Sequence, residues 1–236
     1  RDDGYSRDPA THGRLPKHIV EGPQICTEVP ELPAEVVRGP EHLAVHMRYT
    51  FTRPGAGYRA GSRWAQTLLF LPGRRYVLAC ETITSVNDVE HLFYRLDMPG
   101  HIRHRGADVF RQVYLSYHRT IPAAEFLENF PPDGKFFYRR DDAAIPERFI
   151  RAYQVLDGAG RPGPWLAGMT LDPSIPCEAW CHQRGYICFI QENHGRAVRA
   201  GETFGAAYVI GYFDDVEQMH AVYDELGDVL ADQGLD

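Results

Sequence analysis

From His42 onward the chain is written in short runs of alternating apolar and polar residues, each broken by Gly, Pro, Asn or Asp. A period of two sends successive side chains to opposite faces of an extended backbone, so the pattern demands half-buried β-strands. Val45, Met47, Tyr49 and Phe51 alternate with Ala44, His46, Arg48 and Thr50. A turn at 53–57 leads to a strand over Trp64–Leu71. Pro72-Gly73 then turns the chain into Arg75–Thr84, a run apolar on both faces. Further strands fit His91–Met98, Asp108–His118, Lys135–Arg140, Arg148–Leu156, Trp165–Leu171, Tyr186–Glu192 and Phe204–Phe213. About ten short strands at this spacing predict a mainly β fold, an antiparallel β-sandwich.

Two short helices cap it. Ile121–Phe130 carries Pro122 in its first turn and sets Phe126, Leu127 and Phe130 on one face. Asp214–Leu226 opens on two acidic residues, buries Val216, Met219, Val222, Tyr223 and Leu226, and stops at Gly227. Residues 1–41 are polar and proline-rich without an apolar period, and read as an extended arm. Residues 42–236 read as one domain.

Composition limits the partners. A hydrophobic share of 44% excludes a wholly disordered chain. No apolar run approaches the roughly 18 residues that a spanning helix needs. A net charge of −7 argues against nucleic acid. The cations are 23 Arg against two Lys, Lys17 and Lys135, and planar guanidinium suits two-point capture of carboxylate, sulfate or phosphate. Five cysteines are odd in number and lack paired C-x2-C spacing, so neither a disulfide framework nor a zinc site is expected. An opening Arg instead of Met is what removal of a signal peptide or a tag leaves. Localisation stays open among secreted, periplasmic and cytoplasmic. The arm offers a route to a homo-oligomer or a larger assembly.

Alternation sorts each strand into a core face and an outer face. Asp108–His118 sends Val109, Val113 and Leu115 inward and Phe110, Gln112, Tyr114, Ser116 and His118 outward. Arg95 lies opposite the apolar set Leu92, Tyr94, Leu96 and Met98, and Arg48 shares a face with His46. Rings among planar polar groups are what a sugar groove requires, since pyranose C–H faces stack on aromatics and hydroxyls need oriented partners. Glu81 interrupts the apolar stripe Val77, Ala79 and Ile83, which makes it a general acid or base, or half of a structural ion pair. Asn87 and Asp88 either cap the following turn or present an amide and a carboxylate to a ligand.

Two segments are dense in chemistry. His101 and His104 follow Pro99-Gly100. As metal ligands they require a turn, because positions three apart on a strand face opposite ways. Trp180, His182 and Arg184 share a face if 180–186 is extended, setting a stacking ring, an imidazole and a guanidinium side by side. Glu192-Asn-His194 before Gly195 reads as a hairpin turn. Phosphate loops, dinucleotide fingerprints, nucleophile elbows and H-E-x-x-H are absent from the sequence.

Long alternating strands with His, Arg, Tyr and Glu on one face resemble the galactose-mutarotase-like sandwiches of sugar epimerases and polysaccharide lyases, over residues 42–226. That resemblance implies a carbohydrate ligand held across a concave sheet. The functional expectation is a carbohydrate-active protein, leaning to an enzyme (lyase, hydrolase or epimerase) acting on an acidic sugar or polysaccharide. Catalytic candidates are His182, Tyr114, Glu81 and His101. Substrate-binding candidates are Arg95, Arg184, Trp180, Asn87 and Arg48. The alternatives are a non-catalytic carbohydrate-binding or assembly module, and a cupin-like metalloenzyme holding a divalent metal through His101 and His104.

Overall fold

The computed structural model describes Glu21–Gly22, 29–99, Ile102–Arg103, 109–126, 136–183 and 186–232. Strands take 56% of it and helices 9%, so the mainly β, antiparallel expectation holds. The first strands are β1 (Glu21–Gly22), β2 (Ala34–Arg38), β3 (Leu43–Thr50), β4 (Arg53–Pro54), β5 (Arg63–Phe70), β6 (Tyr76–Thr84) and β7 (Val89–Asp97). They are followed by β8 (Ile102–Arg103), β9 (Phe110–Leu115), β10 (Thr120–Pro122), helix α1 (Ala123–Phe126) and β11 (Tyr138–Arg139). The rest are β12 (Phe149–Leu156), β13 (Pro162–Thr170), β14 (Pro176–Gln183), β15 (Tyr186–Val198), β16 (Thr203–Phe213) and helix α2 (Val216–Asp232). Two compact units result, Arg1–Tyr94 with His194–Ala207, and Arg95–Asn193 with Tyr208–Asp236.

In the first unit the sheet order is β6-β5-β3-β2, with residues 203–207 of β16 beside β6. That last approach is tight, because a Cβ on Gly205 would stand 2.0 Å from the Glu81 carbonyl oxygen. Antiparallel registers set Glu81 opposite Gln66 and Gln66 opposite Met47. The edge strand β2 falls inside the stretch expected to be an extended arm, where the sequence pattern predicts no strand. Its five residues are all exposed, so no burial imposes an apolar period there.

The second unit is a sandwich. One sheet runs β10-β9-β12-β13 with residues 208–213 of β16, and the facing sheet runs β11-β14-β15. Phe110, Val113, Leu115 and Tyr153 of the first meet Cys181 and Phe189 of the second in one buried cluster. Phe110 is fully buried there, on the same side as Val113. Strict alternation puts it outside, but a register shift between Gln154 and Val155 breaks the period. Tyr153 stacks on Phe189 with ring centroids 4.2 Å apart.

Three further expectations change. Gly227 does not end α2, which runs on to Asp232. One glycine costs a helix about 1 kcal/mol relative to alanine, too little to stop a segment whose apolar spacing continues through Val229 and Leu230. Residues 192–195 make no turn, since β15 continues to Val198. His194 and Gly195 take positive φ (74° and 63°) inside the strand, the irregularity that an in-strand glycine often marks. Helical structure around 121–130 covers only Ala123–Phe126, with Ile121 and Pro122 paired in β10 and 127–130 outside the described residues.

Candidate functional site

Of the sequence candidates, Tyr114 meets a second proton-carrying group. It lies on the outer face of β9, half-buried, and its hydroxyl is 2.8 Å from Nε2 of His220 on α2. The helix is held for this by a reciprocal cap: the Gln218 amide N–H donates to Asp215 Oδ1 at 2.7 Å, and the Asp214 N–H donates to Gln218 Oε1 at 2.7 Å. Met219, Val222 and Tyr223 are buried, which turns the neighbouring position, His220, to the flank of the helix. Beside it Arg148 donates to both oxygens of Asp224, from Nε at 2.7 Å and Nη2 at 2.8 Å.

Electrostatics set this pair in its neutral form. Burial, and then the nearby Arg148, lowers the His220 pKa from its ordinary value, so the imidazole is an acceptor or base near neutral pH. Burial raises the Tyr114 pKa, with Arg148 opposing, so the phenol rests protonated. Arg148 holds Asp224 below the usual carboxylate range. Two residues along the same face, roughly 6–7 Å away, Gln112 donates from Nε2 to Oε1 of its cross-strand neighbour Gln154 at 2.8 Å. That bond uses one donor of Gln112 and the acceptor of Gln154. The Gln112 side-chain oxygen and the Gln154 side-chain N–H groups take no part in that bond. Sequence reasoning placed Tyr114 and Gln112 together but missed His220, Gln154 and Arg148. The legible signal was the position of His220 beside Met219, four residues after Val216 and three before Tyr223.

The expected trio on β14 fares differently. Trp180 is fully buried with Cys188 and Ile190, and Phe137 packs against the cluster. The expected stacking platform is therefore a core side chain, because its neighbours across the hairpin are apolar: Ile190 directly opposite, Cys188 beside it. Arg95 stands over its ring at 5.7 Å and 3.8 Å from Asp97. His182 sits in β14 two positions on from Trp180 and opposite Cys188. Arg184 lies outside the described residues, and so do His101 and His104. Among the described residues no three His, Cys, Asp or Glu side chains gather as metal donors.

In the first unit, Glu81 is buried at 3% exposure, and its Oε2 accepts from Trp64 Nε1 at 3.2 Å and Gln66 Nε2 at 3.4 Å. Arg48 is exposed on the opposite sheet face, since its rung runs through Ala65 to Thr82 while that of Glu81 runs through Gln66 to Met47. The two are not part of one site. Asn87 is buried, its Oδ1 accepting from the Arg59 N–H and its Nδ2 donating to the Arg59 carbonyl, each at 2.8 Å. Both ends of that amide bond the backbone of Arg59, 28 positions away, so it ties two segments together, a role different from a cap of its own turn.

No family model and no curated protein matches the chain. Among solved structures it is similar to two putative aldose 1-epimerases. One is from Klebsiella pneumoniae (10% identity, TM-score 0.44, covering 84% of this chain and 58% of that one), the other from Escherichia coli K12 (9%, 0.43, 78% and 69%). It is also similar to the Slr1438 protein from Synechocystis sp. PCC 6803 (8%, 0.41, 78% and 66%). The chain spans less than two thirds of the first of these structures.

Proposed function

We propose that the protein is a carbohydrate-active enzyme that moves a proton on an acidic sugar or polysaccharide, with Tyr114 and His220 as the proton-transfer pair. The observation that carries this is the 2.8 Å contact between the Tyr114 hydroxyl and His220 Nε2 on a half-buried face. A neutral imidazole accepts the phenolic proton as Tyr114 takes one from the carbon next to the sugar carboxylate, so Tyr114 needs no lasting phenolate charge. Protonation of that carbon from its opposite face gives an epimer, and expelling the oxygen on the adjacent carbon, protonated by the imidazolium, gives an unsaturated sugar. Gln112 and Gln154 supply oriented amides for hydroxyls, while Arg148, paired with Asp224 and Glu147, positions the His220 side of the site.

The test is a panel of neutral and acidic sugars and glycans, followed by NMR for epimers and solvent-deuterium exchange and by absorbance for unsaturated products. Turnover of an acidic member is expected, with Tyr114→Phe and His220→Gln each lowering kcat by roughly 10²–10⁴-fold. Binding without turnover by the unmodified protein makes the chain a carbohydrate-binding module instead. Turnover that survives both substitutions overturns the assignment of the pair.

A further inference from the structure

Arg151 of β12 is fully buried in the second unit, and its direct partners are neutral. Nη1 donates to the Ile190 carbonyl at 2.8 Å and Nη2 to Gln191 Oε1 at 2.5 Å. Its guanidinium carbon lies 5.8 Å from the Phe149 ring centre and 5.5 Å from that of Phe189. Nε and the hydroxyls of Tyr117 and Tyr153 are buried without an aligned hydrogen bond, and the Tyr117 hydroxyl lies near enough to the guanidinium to interact with it. These groups belong to one cluster. Tyr117 stacks on Phe149 at 5.2 Å and Tyr153 on Phe189 at 4.2 Å, the same two rings that flank the guanidinium. Arg151 and Tyr153 also share a face of β12, two positions apart. On the other side of the cation the polar chain is complete: Gln191 Nε2 donates to Thr170 Oγ1 at 2.9 Å and to Asn193 Oδ1 at 3.0 Å.

The question is what balances the charge. Burial pushes the Tyr117 and Tyr153 phenols far above their usual range, the Cys181 thiol up to about 12 and the Cys188 thiol higher still. None of the four is an anion at neutral pH. Burial also lowers Arg151, but a guanidinium stays charged in proteins. Asp97 acts on it only through space; its side chain is 31% exposed and lies 3.8 Å from Arg95. Among the described residues Asp97 is the anion that acts on Arg151, and a counter-charge so exposed offsets only part of the cost of burying the ion. Water satisfies orphaned donors but leaves most of that cost in place, whereas an anion removes both.

We propose that Arg151, Tyr117 and Tyr153 form an interior binding site for one small monovalent anion of the chloride class, which stabilises the second unit. The experiment compares thermal unfolding of the full chain in sodium chloride, sodium bromide and sodium gluconate at matched ionic strength, with anomalous diffraction from a bromide-soaked crystal. The expected result is a Tm higher by a few degrees in the two halides, rising with their concentration, and a bromide peak within hydrogen-bonding distance of Arg151 Nε. Arg151→Met is expected to abolish the halide dependence, and Tyr153→Phe to weaken it. Equal Tm in the three salts overturns the proposal, and so does a bromide-soaked map whose peaks all lie elsewhere. If Arg151→Met does not fold, the two measurements on the unmodified protein decide the matter.

Discussion

At the scale of single residues, the second unit separates chemistry by solvent access. His220 and Tyr114 are half-buried and neutral, while Arg151 is fully buried and charged. The His220 pKa is lowered in the folded chain, first by burial and then by Arg148, so the unfolded chain holds that proton more tightly. Unfolding therefore takes up a proton in the window below the ordinary histidine value of about 6.5. The share of stability due to this group is present above that value and is lost as the pH falls toward the folded pKa. An NMR titration is expected to place the His220 midpoint below about 6.5, and to move it upward in Arg148→Gln. A midpoint at or above 6.5 in the unmodified chain contradicts the burial argument.

At the scale of elements, close backbone approach decides what a strand tolerates. The β6–β16 contact at Gly205 leaves no room for a methyl group, because the obstacle is the Glu81 carbonyl, fixed in the sheet. Gly205→Ala is expected to destabilise the protein by about 3 kcal/mol or more, read as a drop in urea midpoint. A loss below about 1 kcal/mol means the two strands separate easily. The same scale explains which elements alternation revealed. β3 alternates apolar and polar residues and β5 and β6 are largely apolar runs bounded by turns, so their boundaries are legible within a residue or two. β2 escaped because an exposed edge strand carries no period, and the inward Phe110 escaped because a register shift in its own pairing with β12 reset the phase.

At the scale of the whole molecule, protection should follow burial and two-sided pairing. β12 is bonded on both sides, to β9 and β13, and five of its residues from Phe149 to Tyr153 are buried. β2 is paired on one side to β3 and exposed throughout. Native-state hydrogen exchange is expected to release the β2 amides first among the long-range pairings and the β12 amides last. Early exchange in β12 contradicts the core assigned to the second unit. No helix among the described residues is long and apolar enough to cross a membrane.

Much of this protein is set by sequence alone. Alternation with a period of two is a local property, so Val45 to Thr50 or Phe204 to Phe213 become strands wherever they end up, and antiparallel β structure follows. Which polar groups meet is a different matter. Tyr114 and His220 are 106 positions apart, and Arg151 and Gln191 are 40 apart. Nothing in either neighbourhood announces its partner. Trp180 shows the reverse case, since an aromatic ring beside His182 reads locally as a ligand platform until Ile190 and Cys188 close over it. Only tertiary packing decides whether an alternating polar residue faces water, a partner or the core, because burial and pairing depend on segments that the local pattern cannot see.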